Sequence, residues 1–314
     1  MATDSILINA AAPAPAPVVK VSRSPAAQVR AAVQDYWALT KPEINFLIAL
    51  STFAGFYLAY PVGHRAFPVC LMIHTLLGTL LVASGTGTLN QYIERRFDAQ
   101  MRRTARRPVA AGRVEPASAL WFGITLSVAG AGYLAATTNI LASLLAVATL
   151  ASYLFVYTPL KRITPLSTLV GAIPGAVPPL IGAAAASGRL SSEAWLLYLI
   201  LFLWQFPHFM AIAWMYREDY DRAGYLVLPR GHSRDRIVTL QTILPLLLLI
   251  PAALLTTVFR DSGLLYRIGA CLLSVGFLYC GMRFVLHRSS ATARRLLVAS
   301  IFYLPLLLVL TMVA

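Results

Sequence analysis

The chain has 314 residues, of which 58% are apolar and only 12% charged, with a mean hydropathy of +0.70. A soluble domain carries roughly 25% charged residues, and runs long enough to cross a bilayer recur along most of this sequence, so a soluble globular protein is excluded. The net charge of +14 would suit a nucleic-acid binder, but the basic residues sit in short loops between apolar runs, the positive-inside pattern of a membrane protein with no nucleic-acid partner.

Residues 1–34, with APAPAP and scattered small or basic side chains, read as a disordered Ala/Pro-rich cytoplasmic tail. They lack the apolar block of a cleaved signal peptide. Residues 35–314 read as one membrane domain. Tyr36 and Trp37 lead into Lys41-Pro42, an interfacial arrangement where the first span begins. Nine spans are expected, at about 44–60, 68–91, 116–136, 139–158, 167–186, 194–216, 237–258, 264–286 and 294–313. Pro61 and Gly63 should end the first. IPGAVPP at 173–179 should kink the fifth and free carbonyls toward a cavity or neighbouring helices. Cys70, Cys271 and Cys280 fall inside apolar runs and read as packing residues. Of the 26 Lys and Arg, all but Arg65, Arg189, Arg260 and Arg267 fall on one side of these spans. That side is the cytoplasm, which puts the tail inside and the C-terminus outside.

Chemistry gathers on the same side. Asn90, Glu94 and Asp98 follow at four-residue intervals, and each step advances only about 40° on a helix, so the three share a face. Arg102, Arg103, Arg106 and Arg107 come next, closed by Pro108 and Gly112. Oxygen donors of this type suit Mg²⁺ and guanidinium suits phosphate, so the stretch reads as a metal-bridged diphosphate site at a membrane face. YTPLKR at 157–162 places Lys161 and Arg162 at that face, where they can hold a departing diphosphate. After the sixth span, His208 and Asp219 lie about 20° apart on a helical wheel, with Glu218 and Asp221 beside them. A transporter would carry charges through both leaflets; here they collect at one.

The run Asn90-x3-Glu94-x3-Asp98-x2-Met101-x-Arg103-Thr104-x-Arg106-Arg107-Pro108, with Gly112, resembles the first signature of the UbiA-type membrane prenyltransferases. LTKPEI at 39–44, GAIPGAVPPLIG at 171–182, and WQFPHFMAIAW, EDYDRAG and LP between 204 and 229 are similar to the branch that farnesylates haem. The resemblance covers about 35–310. It implies an all-α integral membrane protein, nine transmembrane helices bundled around a central cavity, in a bacterial inner membrane. It also implies farnesyl transfer from farnesyl diphosphate to a vinyl group of haem B, giving haem O for haem-copper terminal oxidases. A sister activity on an aromatic or chlorin acceptor is the alternative. By the match, Asn90, Glu94 and Asp98 hold Mg²⁺, Asp219 is their counterpart in the second motif, and Arg103, Arg107, Lys161 and Arg162 grip diphosphate. Asp98, Asp219 and Lys161 would be catalytic. Residue type and membrane location alone make His208 or His74 the candidate to meet the haem iron. Two departures stand out. Met215 occupies the position four before Asp219 where the pattern commonly has a second aspartate, leaving Glu218, Asp221 and His208 as further donors. GYLVLP at 224–229 replaces a GxPMLP-like run.

Overall fold

The computed structural model describes residues 24–60, 66–229, 233–259 and 263–313. It is all helical there: α1 (Pro25–Leu39), α2 (Pro42–Ala59), α3 (Val69–Asp98), α4 (Pro116–Thr137), α5 (Ile140–Ala151), α6 (Thr158–Leu160), α7 (Ser167–Gly175), α8 (Pro178–Ser187), α9 (Ser192–Met215), α10 (Arg217–Arg222), α11 (Ser233–Phe259), α12 (Leu264–His287) and α13 (Ser290–Val313). A π-helical turn, Ser152–Tyr157, joins α5 to α6. Nine helices, counting α5–α6 and α7–α8 as single spans, are long and apolar enough to cross a membrane among the described residues. The protein is therefore a multi-pass membrane protein.

Several elements differ from the expected limits. α1 begins at Pro25, capped by the Ser24 hydroxyl, so the described end of the expected tail is helical; residues 1–23, Pro61 and Gly63 lie outside the described residues. The second span runs on to Asp98, well beyond 91. Its polar last two turns stay helical because α1 and the loops around them cover that end: Gln91 Nε2 donates to the Ala38 and Leu39 carbonyls, both at 3.3 Å.

α7 and α8 are separated by Ala176 and Val177. Pro174, Pro178 and Pro179 cannot donate to the preceding turn, and the kink turns this segment inward. Gln205 Nε2 of α9 donates at 3.1 Å to the Ala172 carbonyl. α8 presses against α2 through glycine: a Cβ on Gly182 would lie 2.0 Å from the Thr52 carbonyl oxygen, and one on Gly55 2.1 Å from that of Pro179. Small residues are the means by which membrane helices approach closely. Most of the core lies between α9, α11, α12 and α13, where Tyr266, Phe277, Phe284 and Tyr303 are fully buried. The outward faces carry exposed Leu, Val and Phe such as Leu265, Leu272 and Phe302, as lipid requires. Gly182→Ala should force α2 and α8 apart, an overpacking cost of about 1–3 kcal/mol, read as a lower melting temperature in detergent; an unchanged melting temperature would mean the interface yields.

Candidate active site

A cavity of about 480 Å³ lies among α2, α3, the α5–α8 spans and α9. Its deep wall is apolar, with Leu47, Val82, Ile181, Leu201 and Leu304. Its other end is lined by Lys41, Asn90, Glu94, Asp98, Arg103, Arg107 and Lys161, so four basic side chains face two carboxylates. That is the shape and charge for an amphiphile with an anionic head.

The helix spacing delivers the expected face. Asn90, Glu94 and Asp98 are 2%, 5% and 1% exposed, all on α3, and each is held by a neighbour. Asn90 Nδ2 donates to Glu94 Oε2 at 2.9 Å. Lys161 Nζ donates to Glu94 Oε1 at 2.8 Å, and Tyr225 Oη donates to the same oxygen at 3.0 Å. Arg107 Nη1 donates to both Asp98 oxygens, at 2.8 and 2.7 Å. Burial would lower the Lys161 ammonium's pKa, but the Glu94 carboxylate outweighs it and holds it well above its ordinary value. Tyr153 and Tyr157, brought to one side by the π turn, lie under that ammonium, the Tyr157 ring centroid at 4.6 Å.

Two loops fold over this end. In the first, Thr104 Oγ1 bonds the Asp98 carbonyl at 2.9 Å, which turns the chain back so that Arg107 reaches Asp98. Gly112, with φ +70°, makes the reversal toward α4. Met101 packs on Ala223 and Tyr225 of the second loop. There Gly224, with φ +71°, supplies a left-handed turn that a side chain would strain, and Tyr225 comes round to Glu94. The Leu226 N–H donates at 2.7 Å to the Lys161 carbonyl, tying the second loop to the third basic segment.

Not every expected residue faces the cavity. Asp219 is outside its lining: Oδ2 accepts from the Arg103 backbone N–H at 3.3 Å and Oδ1 from Arg222 Nη1 at 3.1 Å. Its carboxylate thus fastens one motif loop to the other. His208 and Asp219 do not share one continuous helix, because α9 stops at Met215 and Tyr216 (φ −111°, ψ 22°) turns the chain into α10. Glu218 points out beside Arg217, and Asp221 pairs with Arg234 at 3.5 Å. Arg162 also lies outside the lining, its guanidinium 4.5 Å from the Phe97 ring centroid. Arg102 and Arg106 are exposed. Arg103 reaches the cavity edge, stacked near Tyr216 and bonded to the Tyr220 hydroxyl at 3.3 Å. His208 lines the cavity, whereas His74 is taken up by Tyr133 Oη at 2.6 Å and by Cys70.

Two participants escaped the sequence reading. Lys41 looked interfacial, yet its Nζ donates to Asn90 Oδ1 at 2.8 Å. Its backbone is left-handed, φ 55°, a strain of about 1–3 kcal/mol that Pro42 and the α3 contact hold in place. Burial and then the positive Arg107 bring its pKa down to about 7. The non-glycine strain is invisible in LTKPEI; only the unusual Lys-Pro at a helix start hints at it. Tyr225 appeared only as a departure from pattern, and it is a direct partner of Glu94. Burial first, then the Glu94 charge, raise its pKa, so the phenol stays a donor.

With this geometry in view, the family model for the UbiA prenyltransferase family matches residues 48–306, most of the chain. The chain belongs to the UbiA prenyltransferase family. It is 47% identical over 281 residues to a protein from Solibacter usitatus named protoheme IX farnesyltransferase, covering 88% of this chain and 96% of that relative. A protein of the same name from Salinibacter ruber is 43% identical over 279 residues, covering 89% and 98%. Among solved structures, a UbiA homologue from Archaeoglobus fulgidus bound to GPP and Mg²⁺ superposes with a TM-score of 0.60 at 14% identity, covering 88% of this chain and 99% of that one. As a UbiA family member the protein is a prenyltransferase.

The two-loop arrangement makes a prediction. Asp219→Ala should release the 99–112 loop, raising backbone amide exchange at Gln100–Arg107 and lowering prenyl transfer on the order of tenfold or more. Faster exchange is the expected result; unchanged exchange with lost activity would assign the carboxylate to a metal instead.

Proposed function

We propose that this prenyltransferase moves a farnesyl group from farnesyl diphosphate to a vinyl group of haem B, producing haem O. The observation that carries the reading is the cavity itself: a cationic head holding two buried carboxylates, continuous with an apolar chamber. The names of the relatives supply the acceptor. The asymmetry of Lys and Arg supports a cytoplasmic N-terminus and an outward C-terminus in the cell inner membrane, with the product passed on to haem-copper terminal oxidases.

The donor set fits Mg²⁺. Asn90, Glu94 and Asp98 offer hard oxygens on one helix face, the kind of ligand this ion takes. No cluster of three or more His, Cys, Asp or Glu suited to a metal occurs among the described residues, and Mg²⁺ usually keeps waters and takes further ligands from phosphate. Asn90, Glu94 and Asp98 would hold it, while Asp219 fastens the loop that carries Arg103. Bound there, Mg²⁺ would neutralise negative charge gathering on the leaving group.

The chain's own residues account for the rest. Arg107, Lys161, Arg103 and Lys41 face the diphosphate end and stabilise charge as the allylic C–O bond breaks and its electron pair leaves with diphosphate. Lys161 and Arg107 are held at the cavity head by Glu94 and Asp98 in the substrate-free chain, and these pairs would exchange for contacts to the metal and phosphate on binding. The apolar wall excludes water around the allylic cation until the terminal vinyl carbon of haem attacks it. Positive charge then rests on the vinyl carbon next to the porphyrin ring. Addition of water there, with loss of a proton, leaves the hydroxyethylfarnesyl group.

Purified protein in detergent, given haem B, farnesyl diphosphate and Mg²⁺, should yield a farnesylated haem by mass spectrometry that a chelator abolishes. Prenylation of a phenolic or chlorin acceptor, with none of haem, would keep the chemistry and replace the acceptor. Asp98→Ala should cut turnover about a hundredfold or more while the protein still folds; normal turnover at limiting Mg²⁺ would remove Asp98 from the metal. Arg107→Lys keeps the charge but loses the planar fork, so KM for farnesyl diphosphate should rise about tenfold, and an unchanged KM would leave Arg107 a purely structural partner of Asp98.

A further inference from the structure

The proline break between α7 and α8 leaves one carbonyl on the cavity wall without a donor. Pro178 and Pro179 stand three and four residues after Gly175 and carry no N–H. No other donor reaches the Gly175 carbonyl among the described residues. Gly175 is exposed and lines the cavity, so its surface opens onto the chamber.

A second acceptor faces the same spot from α9. Gln205 is 5% exposed, and its Nε2 commits both protons, to the Ala172 and Leu201 carbonyls, each at 3.1 Å. Those two bonds fix which way the amide points, because a flipped amide would set its oxygen against two carbonyl oxygens. Oε1 accepts from no donor among the described residues. It lies against Gly175, 2.0 Å from where a Cβ on that residue would stand. Gln205 also lines the cavity, so two unused acceptors come within reach of one water. Other polar side chains of the chamber are engaged: the Ser51, Thr86 and Thr149 hydroxyls donate to the carbonyls of Leu47, Val82 and Leu145.

The pair sits just beneath the cationic head. Gly171 packs on the Tyr157 ring, where a Cβ would be 2.5 Å from the ring edge, and the Lys161 ammonium lies over that ring. Gly175 follows one helical turn later, about 5 Å deeper.

We propose that Gln205 Oε1 and the Gly175 carbonyl hold the water that completes the reaction. This rests on the haem reading above and deepens it. Once the vinyl group has taken the farnesyl chain, a cation remains on the carbon beside the porphyrin ring. The oxygen of water can bond to that carbon, its proton passing to released diphosphate, and the product is an alcohol. Alternatively the neighbouring CH₂ loses a proton to diphosphate, and the product is an alkene, one water lighter. A wholly apolar chamber favours the alkene, because it excludes the nucleophile. A water that donates one proton to each of two wall acceptors turns its lone pairs toward the chamber and the cation. Amide oxygens are too weakly basic to take the proton, so their part is to hold and orient. Their negative ends also face the positive carbon.

The test gives the full-length protein in detergent haem B, farnesyl diphosphate and Mg²⁺ in ¹⁸O-enriched water. Farnesylated haems are separated by chromatography and weighed by mass spectrometry. Wild-type protein should give mainly the alcohol, carrying ¹⁸O; a hydroxyl without the label overturns the proposal. Gln205→Met keeps the length but removes the acceptor, and Gly175→Ala puts a methyl group where Oε1 now lies. In each the alkene-to-alcohol ratio should rise about tenfold, the worth of one or two hydrogen bonds to the water. This ratio is read on whatever protein turns over, so partial misfolding does not change it, and Gly175→Ala carries the test if Gln205→Met fails to fold. An unchanged ratio in the variants that turn over overturns this inference alone. Wild-type protein that yields no farnesylated haem of either kind removes the acceptor reading instead.

Discussion

Everything at the polar end of this molecule depends on neutralising Glu94 and Asp98 where α3 leaves the bilayer. Two carboxylates buried as fully as these would be too costly alone. The structure meets the constraint by drawing a cation from a different segment to each: Lys161 from the turn after α6 for Glu94, and Arg107 from the loop after α3 for Asp98. Pairing therefore does more than compensate charge. It fixes two loops over the mouth of the cavity, and the second motif closes on them through Tyr225, Asp219 and the Leu226–Lys161 backbone bond. Buried ion pairs give modest net stability, and their better-attested use is to specify a unique arrangement. Here that arrangement is the cationic head of the cavity.

The apolar half obeys a different rule. In lipid there is little hydrophobic force between helices, so close approach is achieved by small residues and by satisfying stray polar groups. Gly55 and Gly182 bring α2 and α8 into backbone contact, and Gln205 adds a second donor to the Ala172 carbonyl, which already accepts from the Ala176 N–H, pinning α9 to the proline break. Prolines that would weaken a soluble helix instead bend α7–α8 into the wall of the chamber. The cavity is thus a result of backbone geometry, and its head a result of electrostatics.

Much of this was legible in the sequence, because bilayer thickness and helical period are strict. Nine spans follow from length and hydropathy, and the shared face of Asn90, Glu94 and Asp98 follows from their four-residue spacing. What the sequence could not disclose depends on where loops fold back. Lys41 reads as an interfacial lysine until a left-handed backbone turns it toward Asn90. Asp219 reads as facing inward until a break at Tyr216 swings α10 onto the first loop. Tyr225 stands in a segment that differs from the expected pattern, yet it is bonded to the motif's central carboxylate.

The surplus of cations over carboxylates in the cavity head persists after the bond to the prenyl chain is broken. Diphosphate gains charge when it leaves the allylic carbon, while Lys41, Arg103, Arg107 and Lys161 remain where they were. On the reading proposed above, the same groups that would favour ionisation would also retain the by-product, with only the apolar tail's contribution to binding lost. Inorganic diphosphate is then expected to compete with the prenyl substrate, and steady flux would call for its removal from solution by hydrolysis.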